Sequence, residues 1–155
     1  MSDPAVTVTA TGDTISATAI VPAPPGAVFD FLRRPANHAT LSDGTVRGVV
    51  RGPEVLGDGD SFGMDMRVVV PYRIRSKVVE FEQDRRLAWA HIGGHRWRWE
   101  LEPEGEATRV TETFDQSTAR LPIALRLVGY PGRHRANVTT SVARLVRHFT
   151  PGSTR

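Results

Sequence analysis

The chain has 155 residues, 39% of them hydrophobic and 24% charged, which suits one globular domain with a sizeable core. It contains no cysteine, so disulfides and thiolate–metal sites are excluded. The 20 basic residues exceed the 17 acidic ones by only three, which is weak grounds for a nucleic-acid partner even with an isoelectric point of about 10.1.

All the basic residues except Lys77 are arginine, and no acid follows Asp115. Arg120, Arg126, Arg133, Arg135, Arg144, Arg147 and Arg155 therefore make a basic C-terminal stretch. It is either the solvated face of a helix or a surface for an anionic partner such as lipid or nucleic acid. No apolar run approaches the ~18 residues of a membrane span. The first residues, MSDPAVTVTATGD, lack a basic region followed by an apolar block. The expectation is one cytoplasmic domain over 1–155, with 151–155 a frayed tail.

In chain order, 5–21 are rich in Thr and Val, and 15–21 alternate as a half-buried strand does. Pro22, Pro24 and Pro25 end that strand, and Val28, Phe29 and Leu32 give a short helix stopped by Pro35. Residues 36–41 fit one more helical turn. From Val46 the pattern is an antiparallel meander. VRGVVRGPEVL is a strand interrupted at Gly52-Pro53, and GDGD at 57–60 is a tight turn. Phe62, Met64, Met66 and Val68 share one strand face, with Asp65 and Arg67 opposite as a surface pair. In the next strand Tyr72, Ile74, Ser76 and Val78 oppose Arg73, Arg75 and Lys77. LAWAHI, the Gly93-Gly94 hairpin and HRWRWELEP follow, with Trp97, Trp99 and Leu101 on one face. TRVTETFDQS is the last strand. Residues 121–130 are an apolar helical segment, and Pro131-Gly132 marks a kink or break.

The final helix is expected from His134 to Phe149. Val138, Val142, Leu145 and Phe149, with Val146 beside them, form one apolar stripe, and Arg135, Arg144 and Arg147 fall off it. One amphipathic helix after a run of strands packs across a face of their sheet.

This order resembles the START-like (SRPBCC), or helix-grip, superfamily, in its polyketide cyclase/dehydrase branch. The carrying stretches are ISATAIVPAPPGAVFDFLRRPANHATL, GDGDSFGM, VVEFEQDRRLAWAH, WRWELEPEGEATRVTETFD and the helix at 134–149. The resemblance implies an α+β fold: a curved antiparallel sheet of about seven strands wrapped around a long C-terminal helix, with two short helices between strands 1 and 2. It spans nearly the whole chain and implies little about function, because the superfamily includes lipid carriers, receptors, cyclases and co-chaperone modules.

Dinucleotide, P-loop, HExxH and GxSxG signatures are absent. His91 and His95 flank a turn without a third ligand, so no metal and no cofactor is expected. In RWRW, alternation sends Arg and Trp to opposite faces, which argues against a nucleic-acid platform. A cavity remains. Its inward set is Met64, Met66, Tyr72, Ile74, Trp89, His91, Trp97, Trp99, Glu112 and Phe114 from the sheet. Leu125, Tyr130, His134, Val138 and Val142 join it from the helices. Such an aromatic and Met lining suits a small hydrophobic molecule that is lipid-like, polyketide-like or aromatic. Glu112 is either salt-bridged to an Arg at the sheet rim or a cavity acid raised by desolvation. His91 is a second proton-transfer candidate. Tyr72 can reach either a ligand carbonyl or water at the mouth. Three functions stay open: a ligand-binding module, a cyclase, dehydratase or aromatase using Glu112, His91 and Tyr72, or an interaction protein using the Arg-rich surface. A monomer or weak homodimer is expected.

Overall fold

The computed structural model describes residues 4–42, 46–67, 69–91, 93–119 and 130–152, with the side chains at 49, 50 and 130–133 outside the description. The described residues form one antiparallel sheet of eight strands, not about seven. They are β1 (Thr7–Thr11), β2 (Thr14–Val21), β3 (Val46–Arg51), β4 (Ser61–Arg67), β5 (Pro71–Glu82), β6 (Arg86–His91), β7 (Arg96–Glu104) and β8 (Ala107–Asp115). The spatial order is β1-β2-β8-β7-β6-β5-β4-β3. The added strand is β1. It folds back on β2 through a turn where Gly12 takes a positive φ of 53°, so a stretch that reads as one run of Thr, Ala and Val is a hairpin.

Between β2 and β3 lie α1 (Pro25–Leu32), a 3-10 turn at Pro35–Asn37 and α2 (His38–Leu41). α1 starts with proline at N1, where no intrahelical N–H is lost, and buries Val28, Phe29 and Leu32. Arg33 donates from Nε to the Leu56 carbonyl at 3.0 Å and lies over the Phe81 ring, tying α1 to the β3–β4 connection and the sheet.

The C-terminal helix α3 runs from Tyr130 to Phe149. It starts four residues earlier than its apolar stripe indicates. Pro131-Gly132 is not a break but part of the first turn, where proline is accommodated. The expected helical segment at 121–129 lies outside the described residues. α3 packs chiefly over β2, with further contact to β8 and α2. Val138, Val142 and Leu145 are fully buried in that interface, and Phe149 is half-buried. Arg144 is not solvated as its place off the stripe suggests: its guanidinium donates to the Ser42 carbonyl at the end of α2.

Alternation places the charges of the strands on the outer face. Arg98 reaches Glu80 at 2.8 Å and Asp115 at 3.2 Å, and Arg96 reaches Glu80 at 3.0 Å. Asp65 pairs across strands with Arg73 at 3.5 Å, rather than with Arg67 on its own strand. A bulge between Val78 and Glu80 shifts the alternation of β5, so that Phe81 points inward and Val79 is exposed.

Candidate functional site

Cross-strand register lays the inner face out in rows. One row runs Phe81, Leu87, Trp99, Glu112, Ala17. The next runs Val78, Trp89, Trp97, Phe114, Ile15. A third joins Phe62, Ser76 and His91, and beyond it Met64 pairs with Ile74 and Met66 with Tyr72. Period-two alternation fixes which residues occupy these rows, and the turns fix their register.

Glu112 is the one carboxylate in this set. It is 5% exposed, between Trp99 and Ala17, and it has no cationic partner among the described residues. The Ser141 hydroxyl from α3 meets its Oε2 and also lies 2.8 Å from the Asn137 carbonyl. Desolvation dominates the electrostatics and pushes the carboxyl up to about 8, with the Ser141 hydrogen bond opposing in part. At neutral pH the group is therefore mainly a neutral acid. It can pass its proton's hydrogen bond to Ser141, which passes its own to Asn137. The Trp99 indole N–H is buried close by with no partner among the described residues.

The second polar spot is two rows away. Ser76, buried, lies with Oγ 2.7 Å from His91 Nδ1. Burial, reinforced by neighbouring His95, pushes His91 down to about 3, so it stays neutral at physiological pH and is a weak base there. Its ring stands 5.0 Å from that of His95. His95 leads on to Phe114 at 5.2 Å. Phe114 in turn carries Trp97 at 4.6 Å and the stacked ring of His134 at 3.7 Å. Trp97 is half-buried, whereas Trp99 is 2% exposed. A fourth histidine begins α2. His38 stacks on Trp89 at 4.5 Å, donates from Nε2 to the Leu32 carbonyl at 2.9 Å, and is pushed down to about 4 by burial.

The inward set is thus distributed along one face. Trp89, Trp97, Trp99, Glu112 and Phe114 gather on the sheet, with His134, Val138 and Val142 contributed by α3. Met64 is buried, Met66 and Ile74 are half-buried, and Tyr72 is 45% exposed at the far end. Leu125 and the side chain of Tyr130 lie outside the described residues. Glu112 and His91 are two strands and two rows apart, roughly 15 Å by strand geometry, and Tyr72 is farther still. The three proton-transfer candidates therefore do not meet at one point.

Ser76, Ser141 and His38 are partners that sequence reasoning missed. Ser76 carried a signal in its inward position on β5. Ser141 sits between Val138 and Val142, within the span of the apolar stripe, but its partner is 29 residues away on another element. On the outer face, a depression of about 260 Å³ is lined by Arg85, Arg86 and Arg109 with Glu82, Glu100 and Glu102. Its charges largely answer one another, as in Arg85–Glu82 at 3.2 Å and Arg86–Glu100 at 3.6 Å.

A family model described as polyketide cyclase / dehydrase and lipid transport matches residues 13–150. The chain belongs to this family. Its helix-grip fold recurs in protein Ms6760 from Mycobacterium smegmatis, with a TM-score of 0.68 at 13% identity over 92% of this chain and 96% of that one. DynU16, a protein from the dynemicin biosynthetic locus, matches at a TM-score of 0.63 and 20% identity, over 92% of this chain and 49% of that one. At these identities the likeness concerns the fold alone. The uncharacterized protein Rv0088 of Mycobacterium tuberculosis is 34% identical over 145 residues. That match takes in 89% of this chain and 65% of the relative's length, so the chain spans just under two thirds of the curated relative. Among the described residues no helix of this family member is long and apolar enough to cross a membrane.

Proposed function

We propose that the chain binds one small hydrophobic ligand, lipid-like, polyketide-like or aromatic, between the inner face of the sheet and α3. The observation that carries this reading is Glu112. A carboxyl removed from water with no cation beside it opposes folding, and a neutral acid in an otherwise apolar lining is a group for orienting a ligand's polar end. Half-buried Trp97 lies on the same inner face next to the stacked Phe114–His134 pair, and Met64, Met66 and Ile74 add an adaptable apolar surface. Tyr72 stands where the inner face opens to water.

A cyclase, dehydratase or aromatase reading has one observation in its favour: an acid titrating near 8 is suited to proton transfer at neutral pH. Glu112 would act without His91 or Tyr72, whose placement and, for His91, weak basicity separate them from it. The binding reading needs only one oriented group and is the one the geometry favours. The Arg-rich C-terminal surface is a weaker basis for function, because Arg144 is engaged with Ser42 and Arg135 and Arg147 remain as its exposed described members.

Native mass spectrometry of protein purified from its own host tests the reading. One bound species of about 200–500 Da is expected, a size matched to pockets of ~300–1,000 Å³. A clean apo mass, together with no change in tryptophan fluorescence on titration with fatty acids and fused-ring aromatics, refutes it.

A further inference from the structure

The tip between β4 and β5 carries the most exposed large apolar side chains of the described chain, Val69 at 84% and Val70 at 68%. They are bracketed by exposed Arg67 on β4 and by exposed Arg73 and Arg75 on β5, and Arg47 on neighbouring β3 is also exposed. Among the described residues one acid, Asp65, pairs with one of these four cations, Arg73. Among the described residues Arg67 and Arg75 have no acidic partner. From the tip, apolar surface continues inward through Tyr72 and Met66, then Ile74 and Met64, onto the inner face.

We propose that this hairpin tip docks the protein on an anionic phospholipid bilayer. The two valines enter the edge of the acyl region, Tyr72 sits at the headgroup level, and the guanidinium collar meets the phosphates. Charge complementarity favours a lipid surface over other occupants. A stable protein interface covers about 800 Å² on each partner, and two valines with one tyrosine offer a wedge rather than a face of that extent. A bilayer accepts such a wedge, because its apolar interior is reached by insertion and its charged layer surrounds the inserted tip. Docking would bring the open end of the inner face against a reservoir of apolar molecules. In that respect the inference builds on the ligand reading; the binding of the tip to lipid does not require it.

Co-flotation of the full chain with vesicles tests the proposal, using phosphatidylserine-rich vesicles against pure phosphatidylcholine at low and high salt. Binding to the anionic vesicles, weakened by salt, is expected. Val69→Asp with Val70→Asp should lower the partition coefficient more than tenfold. Arg67→Ala with Arg75→Ala should lower it roughly 25-fold, at about fivefold per cation. Because these side chains are exposed, thermal unfolding of both variants should match the parent, which keeps a loss of flotation from being a loss of fold. Absence of flotation with anionic vesicles at low salt overturns the proposal, as does flotation unchanged by the aspartates. Sedimentation showing self-association that the aspartates abolish, without vesicle binding, overturns it in favour of a second copy of the chain. A lost ligand mass with vesicle binding intact would count against the ligand reading alone.

Discussion

Replacing Glu112 by glutamine removes a titration while keeping the volume and a polar partner for Ser141. The carboxyl titrates near 8 in the folded chain against about 4.5 when unfolded. Between those values the folded state holds a proton that the unfolded state releases, so stability is complete at low pH and falls as pH rises through the window. The slope is roughly 1.4 kcal/mol per pH unit, which makes the loss on the order of 3 kcal/mol at pH 7. Above about pH 8 it levels off. The glutamine variant has no such slope. Its buried amide N–H groups add an offset, but that offset does not depend on pH. Urea denaturation at intervals from pH 5 to pH 8 should therefore show the variant gaining about 4 kcal/mol on the parent across the range. In thermal melts this is a relative rise of about 10 °C at 2–4 °C per kcal/mol. Parallel curves for the two proteins would refute the reasoning, because they would mean that Glu112 is ionised in the folded state or open to water.

The parent's own profile should be a bell. His38 and His91 are pushed down to about 4 and about 3, so their contribution is complete above pH 6.5 and lost as pH falls through the acid range. Opposed by Glu112, they place the maximum near pH 6.5, and a urea midpoint still rising at pH 8 would contradict the assignment. Gly52 combines a φ of 131° with a position where a Cβ would lie 2.8 Å from Phe62 Cβ. Gly52→Ala should cost about 3 kcal/mol, seen as a lowered urea midpoint, and an unchanged midpoint would show that β3 yields freely. Trp99→Ala should cost about 3–5 kcal/mol by opening a core cavity. Trp97→Ala should cost less stability and more affinity for an aromatic probe in a fluorescence titration; equal losses in both assays for both variants would erase the distinction between core and lining.

The sheet was legible because its signals are local. Trp97, Trp99 and Leu101 alternate with Arg and Glu, and Gly93-Gly94 and GDGD punctuate the strands, so inner face and register follow from neighbours in sequence. β1 was hidden because Thr and Ala on both sides of Gly12 lack the large apolar residues that would separate two strands. The start of α3 was hidden because Pro131-Gly132 reads as punctuation whether it interrupts a helix or opens one. The state of Glu112 was open for a different reason. Alternation put it inward, but whether an arginine or a hydroxyl meets it depends on how α3 lies over β2 and β8, and Ser141 becomes its partner through that packing alone. His38 shows the same limit: nothing between Ala36 and Leu41 announces that this ring will stack on Trp89.

The cost of Glu112 also narrows what can bind beside it. In a plain core, leucine or glutamine at this position would oppose folding less at neutral pH, which is why the proposed ligand reading rests on Glu112. A ligand with an amine would draw the carboxyl back toward its ordinary range and release a proton to solvent on binding. A ligand with a carbonyl or hydroxyl oxygen would instead accept the acid's hydrogen bond and hold it neutral. The surroundings favour the second case. Trp99, Ala17 and Phe114 supply no further charge, and the Ser141–Asn137 relay suits a neutral group, whereas an ion pair formed there would lose water on both sides. On the proposed ligand reading, oxygenated apolar molecules rather than amines are the chemistry expected beside Glu112.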